Sequence, residues 1–477
     1  MTLMPRLLLS GLAALAVAGC STPPPVPLDA RSDVPLRFSA PSAAHAPLWP
    51  ASDWWVGFRA NELTGLEEAA LSGNLDLAAA AARVDQTSAS ARSAGASLWP
   101  SLGATVDATR TRPPGVPATG GPGSGFAYNS FNMGFQASYQ LDFWGLQKDR
   151  LRLAEKNLDA ARYAQAVVGL TISANVANEY FTALALRERI TVTRRNIASA
   201  HEILQITEAK VNAGVGSNLA LSQEQAIVLS EETSLPQLVE AEREARYALA
   251  LLLGRPPEGF DLRAVDLRGI VSPPMSAGLP SELLARRPDI AQMEAELGAA
   301  HANVDAARAA FFPQIGISAN SAYSSASLAT LLNPASLGWS IGASLVQTIF
   351  DGGKLSAESD LAKAQQAELL ADYRKTVFHA FSDVETALGS VDATQVQLGS
   401  AIRQQQAAAE AFRIADVQYR AGTIDILSVL QSQQVLFNAE NVLDQSRLQR
   451  FQADVNLYQA LGGGWTKSDS DWKLASR

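Results

Sequence analysis

The chain is written twice. Around Gly214 it reads Val211-Asn-Ala-Gly-Val-Gly-Ser-Asn-Leu219, and about 208 residues later it reads Tyr419-Arg-Ala-Gly-Thr-Ile-Asp-Ile-Leu427. Nearly the same offset pairs Leu98-Trp-Pro100 with Phe311-Phe-Pro313, and Gln140-Leu-Asp-Phe-Trp-Gly145 with Gln347-Thr-Ile-Phe-Asp-Gly352. It also pairs Leu253-Gly254 with Leu461-Gly462. A duplicated unit buries its faces against its twin, so each element placed in one copy constrains its counterpart.

Each copy holds two stretches with a period of two. In the first, Leu102, Ala104, Val106 and Ala108 alternate with Thr105, Asp107 and Thr109. After a proline-glycine loop, Pro113 to Gly125, the residues Phe131, Met133, Phe135, Ala137, Tyr139, Leu141 and Phe143 alternate with Asn132, Gln136, Ser138, Gln140 and Asp142. In the second, Ile315, Ile317, Ala319 and Tyr323 and then Leu337, Trp339, Ile341, Ala343, Leu345 and Ile349 alternate with small or polar residues. The pattern predicts strands at about 100–112, 126–144, 313–325 and 337–351. A polar face that long needs water, and the apolar face needs lipid or a core. Strands of this length and dyad suit a transmembrane barrel; an edge hairpin on a soluble core is the alternative.

Four strands close no membrane barrel, and an open edge in lipid strands backbone donors at several kcal/mol each. The chain is therefore expected to oligomerise. Two copies give about eight strands, an interior that side chains fill; three give about twelve and a wet interior, which the polar face favours.

Between the strand pairs the pattern is helical. Leu146 to Ala213 contains no proline, so at 1.5 Å per residue it could extend ~100 Å. Ile190, Ile197, Leu204 and Val211 recur every seventh residue, with Thr193, Ala200 and Thr207 on the neighbouring seam. Val384, Val391, Leu398, Gln405, Phe412 and Tyr419 keep that spacing in the second copy. Helices about half as long return after Gly214 and Gly422, and one further helix is predicted over 61–97. Two half-length helices end to end match one long one, so each repeat is half of an antiparallel helical cylinder. The division is 61–253 for the first repeat, with its tip at 214, and 281–462 for the second, with its tip at 422. An equatorial connector, 254–280, and a tail, 463–477, build a belt at mid-height. A plain soluble coiled coil is the bland alternative; rods continuous with strand pairs argue for a conduit.

Composition removes other classes. The formal charge is −9, with no basic cluster to track nucleic-acid phosphates. His45, His201, His301 and His379 are scattered, and no phosphate loop or nucleophile elbow is present, so no metal, no cofactor and no catalysis are predicted. A basic start, an apolar run from Leu7 to Val17 and small residues lead into Cys20, the only cysteine. The run is too short to span a bilayer. It resembles a bacterial lipoprotein leader, 1–19, with acyl chains on Cys20 of the mature protein; a plain cleaved leader is the alternative. One cysteine excludes an intrachain disulfide. Residues 20–60 read as an acylated tether, and Ser21 resembles the pattern sorted to the outer membrane.

These motifs together resemble the TolC family of outer-membrane efflux proteins, in its lipoprotein branch serving resistance-nodulation-division pumps. Trp54-Trp55 with Phe58, Ala70-Leu71, and Asn74-Leu-Asp-Leu77 before Ala82-Arg83-Val84 look like that branch's opening. Most specific is Leu279-Pro-Ser-Glu-Leu-Leu-Ala-Arg-Arg-Pro-Asp-Ile290, continuing through Glu296 and Ala306-Ala307-Arg308 to Phe311-Phe312-Pro313. The resemblance covers almost all of the mature chain. It implies a mainly helical protein with a membrane β-barrel: a homotrimer with a 12-stranded barrel and a 12-helix periplasmic tunnel, lipid-anchored in a Gram-negative outer membrane.

The function implied is passive export of small molecules, with a periplasmic adaptor and an inner-membrane pump as partners. A duct for protein secretion and a non-conducting scaffold are the alternatives. The family's adaptor-contact tips fall here on Ala213, Gly214, Val215, Gly216 and Ser217, and on Ala421, Gly422 and Thr423. Its acidic gate falls on Asp425 and Asp416. Ordinary roles are open for the same residues: helix reversal for the glycines, a solvated helix end for either Asp, or a local ion pair to Arg413 or Arg420.

Overall fold

The computed structural model describes residues 38, 49–112, 127–274, 278 and 280–467, all within one unit, 37–477. The leader, Cys20, most of the tether, the proline-glycine loop and the tail beyond 467 lie outside the described residues. The elements in chain order are α1 (Asn61–Gly73), α2 (Leu75–Ala96), β1 (Ser101–Thr111), β2 (Tyr128–Leu141), α3 (Leu146–Asn212) and α4 (Asn218–Leu252). The second copy follows as α5 (Pro288–Ala309), β3 (Gln314–Ser325), β4 (Leu337–Val346), α6 (Lys354–Arg420) and α7 (Ile426–Ala460). A single helical turn precedes each copy, Trp54–Phe58 and Pro280–Leu283. Corresponding helices have equal lengths: 67 residues for α3 and α6, 35 for α4 and α7, and 22 for α2 and α5.

The expected single helix over 61–97 is two helices. Asn74 takes an extended backbone, and its side-chain oxygen accepts the N–H groups of Asp76 and Leu77, which caps α2. Its Nδ2 donates to Leu252 O at 2.8 Å, so the break also satisfies an orphan carbonyl at the end of α4. Two strand ends are shorter than predicted. β2 stops at Leu141 rather than 144 because Asp142 accepts the N–H groups of Gln147 and Lys148 and turns the chain into α3. β4 stops at Val346 rather than 351, and Asp351 accepts from Gly353, Lys354 and Leu355 in the same manner. Gly145 and Gly353, at φ 84° and 91°, make these turns possible.

Near the strands the helices lie side by side as α2–α3–α5–α6; towards the tips the order is α4–α3–α7–α6. The core is thickest at mid-height, where Trp54 stacks on Tyr458 (4.9 Å), and Phe181 packs between Phe58 (5.1 Å) and Phe451 (5.0 Å). Elsewhere the contacts are largely alanine and β-branched residues, which let the long helices approach closely.

Candidate functional site

The wall of a conduit starts with strand register. The sheet runs β1-β2-β3-β4, antiparallel throughout. Ala104, Phe135, Ser321 and Trp339 are direct cross-strand neighbours, as are Val106, Met133, Tyr323 and Leu337, and Leu102, Ala137, Ala319 and Ile341. One residue along, the rows read Gly103, Gln136, Asn320, Ser340 and Ser101, Ser138, Ser318, Gly342. A slip of one residue would exchange the two faces, so four strands in this register commit the whole sheet to one apolar and one polar side. Leu102, Trp339 and Ile341 are more than 70% exposed within the chain, which only lipid or another apolar phase would tolerate on that scale. Gly134 sits on the polar side, where a Cβ would fall 2.4 Å from that of Ala322. β1 and β4 each present an edge that no strand pairs among the described residues.

Aromatic residues mark the junction of sheet and helices. Trp144 stacks on Phe312 (4.8 Å) and donates to Pro313 O at 2.7 Å, while Trp99, Phe143 and Phe350 are exposed. This is the interfacial position that amphipathic rings favour.

Mid-height is held by two latches that the sequence did not disclose. Gly254 and Gly462 end α4 and α7 with positive φ, and each lies where a Cβ would be about 2 Å from a backbone oxygen, that of Gly73 or Arg286. In the first copy Asn74 bonds Leu252 O; in the second Arg287 bonds Ala460 O at 3.2 Å, Asp289 at 2.7 Å and Asp383 at 3.0 Å. The Arg-Arg-Pro-Asp run is thus a structural staple. Arg187 joins Glu242 of α4 (2.8 Å) and Asp261 of the connector, and Arg447 of α7 joins Glu188 of α3 (2.6 Å). No pattern of period or spacing marks these pairs, because they join residues far apart in sequence.

At the first tip, Gly214 at φ 76° reverses the chain and Val215 N–H closes on Lys210 O at 3.0 Å. Gly216 is needed for a different reason: a Cβ there would lie 2.6 Å from Val211 N. Val215 and Leu219 stand exposed beside Ser217, and Ala213 ends α3. At the second tip Gly422, φ 74°, follows Ala421, and both groups of Thr423 donate to Gln418 O.

Asp425 caps α7, accepting the N–H of Ser428 at 3.0 Å and its hydroxyl at 2.9 Å; these bonds hold its carboxyl below the usual range. Asp416 is gripped by Arg420, both oxygens at 2.9 Å, and Arg420 reaches across to Glu202 on α3 at 2.7 Å. Arg413 pairs with Glu410 instead. Lys210 lies over the Tyr419 ring at 3.5 Å. The structure therefore brings Asp416 into a link between the two long helices and sets Asp425 into a local cap. The local pair of Asp416 with Arg420 is one that the sequence offered, whereas Glu202 and Lys210 join this cluster through contacts that sequence reasoning missed. Among the described residues no cluster of three or more potential metal ligands occurs, and no helix is long and apolar enough to cross a membrane.

The family model described as outer membrane efflux protein matches residues 66–255 and 279–463. Over 461 residues the chain is 40% identical to the pyoverdine export outer membrane protein OpmQ of Pseudomonas aeruginosa, covering 96% of this chain and 97% of that protein. It is 30% identical over 480 residues to the antibiotic efflux pump outer membrane protein ArpC of Pseudomonas putida, covering 97% and 96%. The crystal structure of CusC superposes with a TM-score of 0.81 at 27% identity, over 90% of this chain and 97% of that one. Repeat, sheet and long helices all lie within the matched region, and the chain belongs to the outer membrane efflux protein family.

Proposed function

We propose that this outer-membrane efflux channel is the exit duct of a three-part pump for small molecules, and that it receives its cargo from a periplasmic adaptor and an inner-membrane resistance-nodulation-division pump. One observation carries the reading. A sheet with one apolar face, one polar face and two open edges continues directly into helices about 100 Å long, as the wall segment of a tube would. A tube has no reacting groups, and its work is selection and gating.

The relatives named for pyoverdine export and antibiotic efflux both move small compounds, which supports small-molecule cargo over protein secretion and adds secreted metabolites to drugs as a cargo class. The tips, Ala213 to Ser217 and Ala421 to Thr423, serve as the adaptor contact, for they combine tight reversal with exposed Val215. Cys20 carries the lipid anchor. The gate is the Asp416–Arg420–Glu202 link with the Asp425 cap beside it. Single-channel recording of the purified trimer in planar bilayers tests the duct: conduction through a water-filled path is expected, and a trimer that never conducts, even as Arg420→Ala, refutes it. Deleting the gene and measuring which compounds become toxic or fail to leave the cell tests the cargo.

A further inference from the structure

The internal repeat constrains contacts beyond a single chain. Offsets of about 208 residues carry α3 onto α6, and about 213 carry α2 onto α5. The registers agree as well as the lengths. Gly95 lies opposite Leu151, and Gly169 opposite Leu77, in the α2–α3 pair. Carried across, these set α5 against α6 in the register that Asn303–Gln365 (3.4 Å) and His301–Gln366 (3.2 Å) occupy.

Two sideways contacts, α3 on α5 near the strands and α3 on α7 towards the tips, have no counterpart of comparable extent among the described residues. α3 packs sideways on α5, with Leu146 beside Ala306 and Ala309, Gly298 over Lys156, and Arg152 3.8 Å from Asp305. The corresponding helices, α6 and α2, stand on opposite flanks of the chain. The same offsets that convert Arg152 to Asp360 convert Asp305 to Arg92. The charges are opposite again, but with polarity reversed: the long helix now bears the anion.

We propose that α6 packs on α2 of the partner subunit in the α3–α5 register, with an ion pair from Asp360 to Arg92 of the partner subunit. The two groups are opposite in sign, as Arg152 and Asp305 are in the α3–α5 contact. Both groups are available. The Asp360 side chain is 72% exposed, and its neighbour Lys363 comes from its own helix, at 3.2 Å. Arg92 is exposed and donates to Ser88 within α2. Lower on the same face, Arg374, Lys375, His379 and half-exposed Phe378 line an open groove. The matching stretch of α2 offers Leu75, 72% exposed, and Asp76, so charge and apolar surface are complementary there too. The inference rests on the trimeric channel reading and adds which residues meet.

The test uses the full chain in outer membranes and a short bismaleimide cross-linker. Asp360→Cys with Arg92→Cys is expected to yield covalent dimers and closed trimers on denaturing gels. Arg152→Cys with Asp305→Cys, the same contact inside one chain, is expected to shift the monomer only, and each single variant is the blank for Cys20. Monomers alone from the first pair, beside efficient linkage in the second, would overturn the interface. For the ion pair, Asp360→Arg is expected to lose trimer at low salt, and adding Arg92→Asp is expected to restore it. A double variant no better than the single one overturns the pair. A wild-type chain that is not trimeric by native mass would instead strike the channel reading itself.

Discussion

At the scale of single residues, buried charge decides the energetics. Glu67 is fully buried in α1, and burial pushes its carboxyl up to about 9, opposed by the Ser173 hydroxyl. Below pH 4.5, its ordinary value, the group is protonated whether the chain is folded or not. Above that, the unfolded chain ionises first, so stability falls as pH rises, by up to about 1.4 kcal/mol per unit until the folded group titrates. Glu67→Gln is therefore expected to raise the melting temperature of the trimer at pH 8 and leave it unchanged near pH 4.5; equal gains at both would refute the assignment. Arg287 presents the opposite case, a part-buried cation bonded to two carboxylates and a helix-end carbonyl. Arg287→Ala is expected to cost about 2–3 kcal/mol, read as a lower melting temperature. Neither environment was legible in the sequence. Glu67 looks like any surface glutamate in an alanine-rich helix, and Arg287 needs Asp383 and Ala460, both distant along the chain, to define its role.

At the scale of elements, glycines separate reversal from close approach. Gly462→Ala adds a Cβ about 2 Å from the Arg286 oxygen at positive φ, so folded protein in the outer membrane should fall sharply. Gly214→Ala meets no atom within 4 Å and should cost only the backbone conformation, about 1 kcal/mol, read by the same melting measurement. Sequence made both glycines look alike as helix ends; what each carbon would strike is set by an element from elsewhere in the chain. The tip aspartates are separable as well. Asp425→Ser keeps a capping oxygen and removes the charge, so a change in cation selectivity with unchanged melting would place Asp425 in the pore. Arg420→Ala frees Asp416 and Glu202 in an exposed cluster and should alter stability by less than about 1 kcal/mol. Its expected effect is on opening, seen as more frequent conducting events in single-channel records.

At the scale of the whole molecule, the chain alone is an unfinished object. Among the described residues its sheet has two unpaired edges and its helical wall two uncovered flanks, so three chains complete twelve strands and a tunnel together. Removing one subunit's worth of pairing would leave backbone donors open to lipid, and insertion and trimerisation are expected to be a single event. Mild detergent extraction followed by native mass should accordingly find trimer and unfolded chain, with no stable folded monomer.

The sequence by itself determined the architecture: two copies, strand pairs of dyad pattern, proline-free rods of equal length and their reversal points. Those features are periodic and local, and the physics of helix rise and strand alternation reads them directly. Only the tertiary structure decided where the opening helix breaks, which carboxyl the strand-to-helix turns use, what Arg287 staples, and how Asp416 and Arg420 tie the two long helices. The turn carboxyls act within a few residues but outside any periodic pattern, and the other three depend on partners far away in the chain, where no periodicity encodes distance in space.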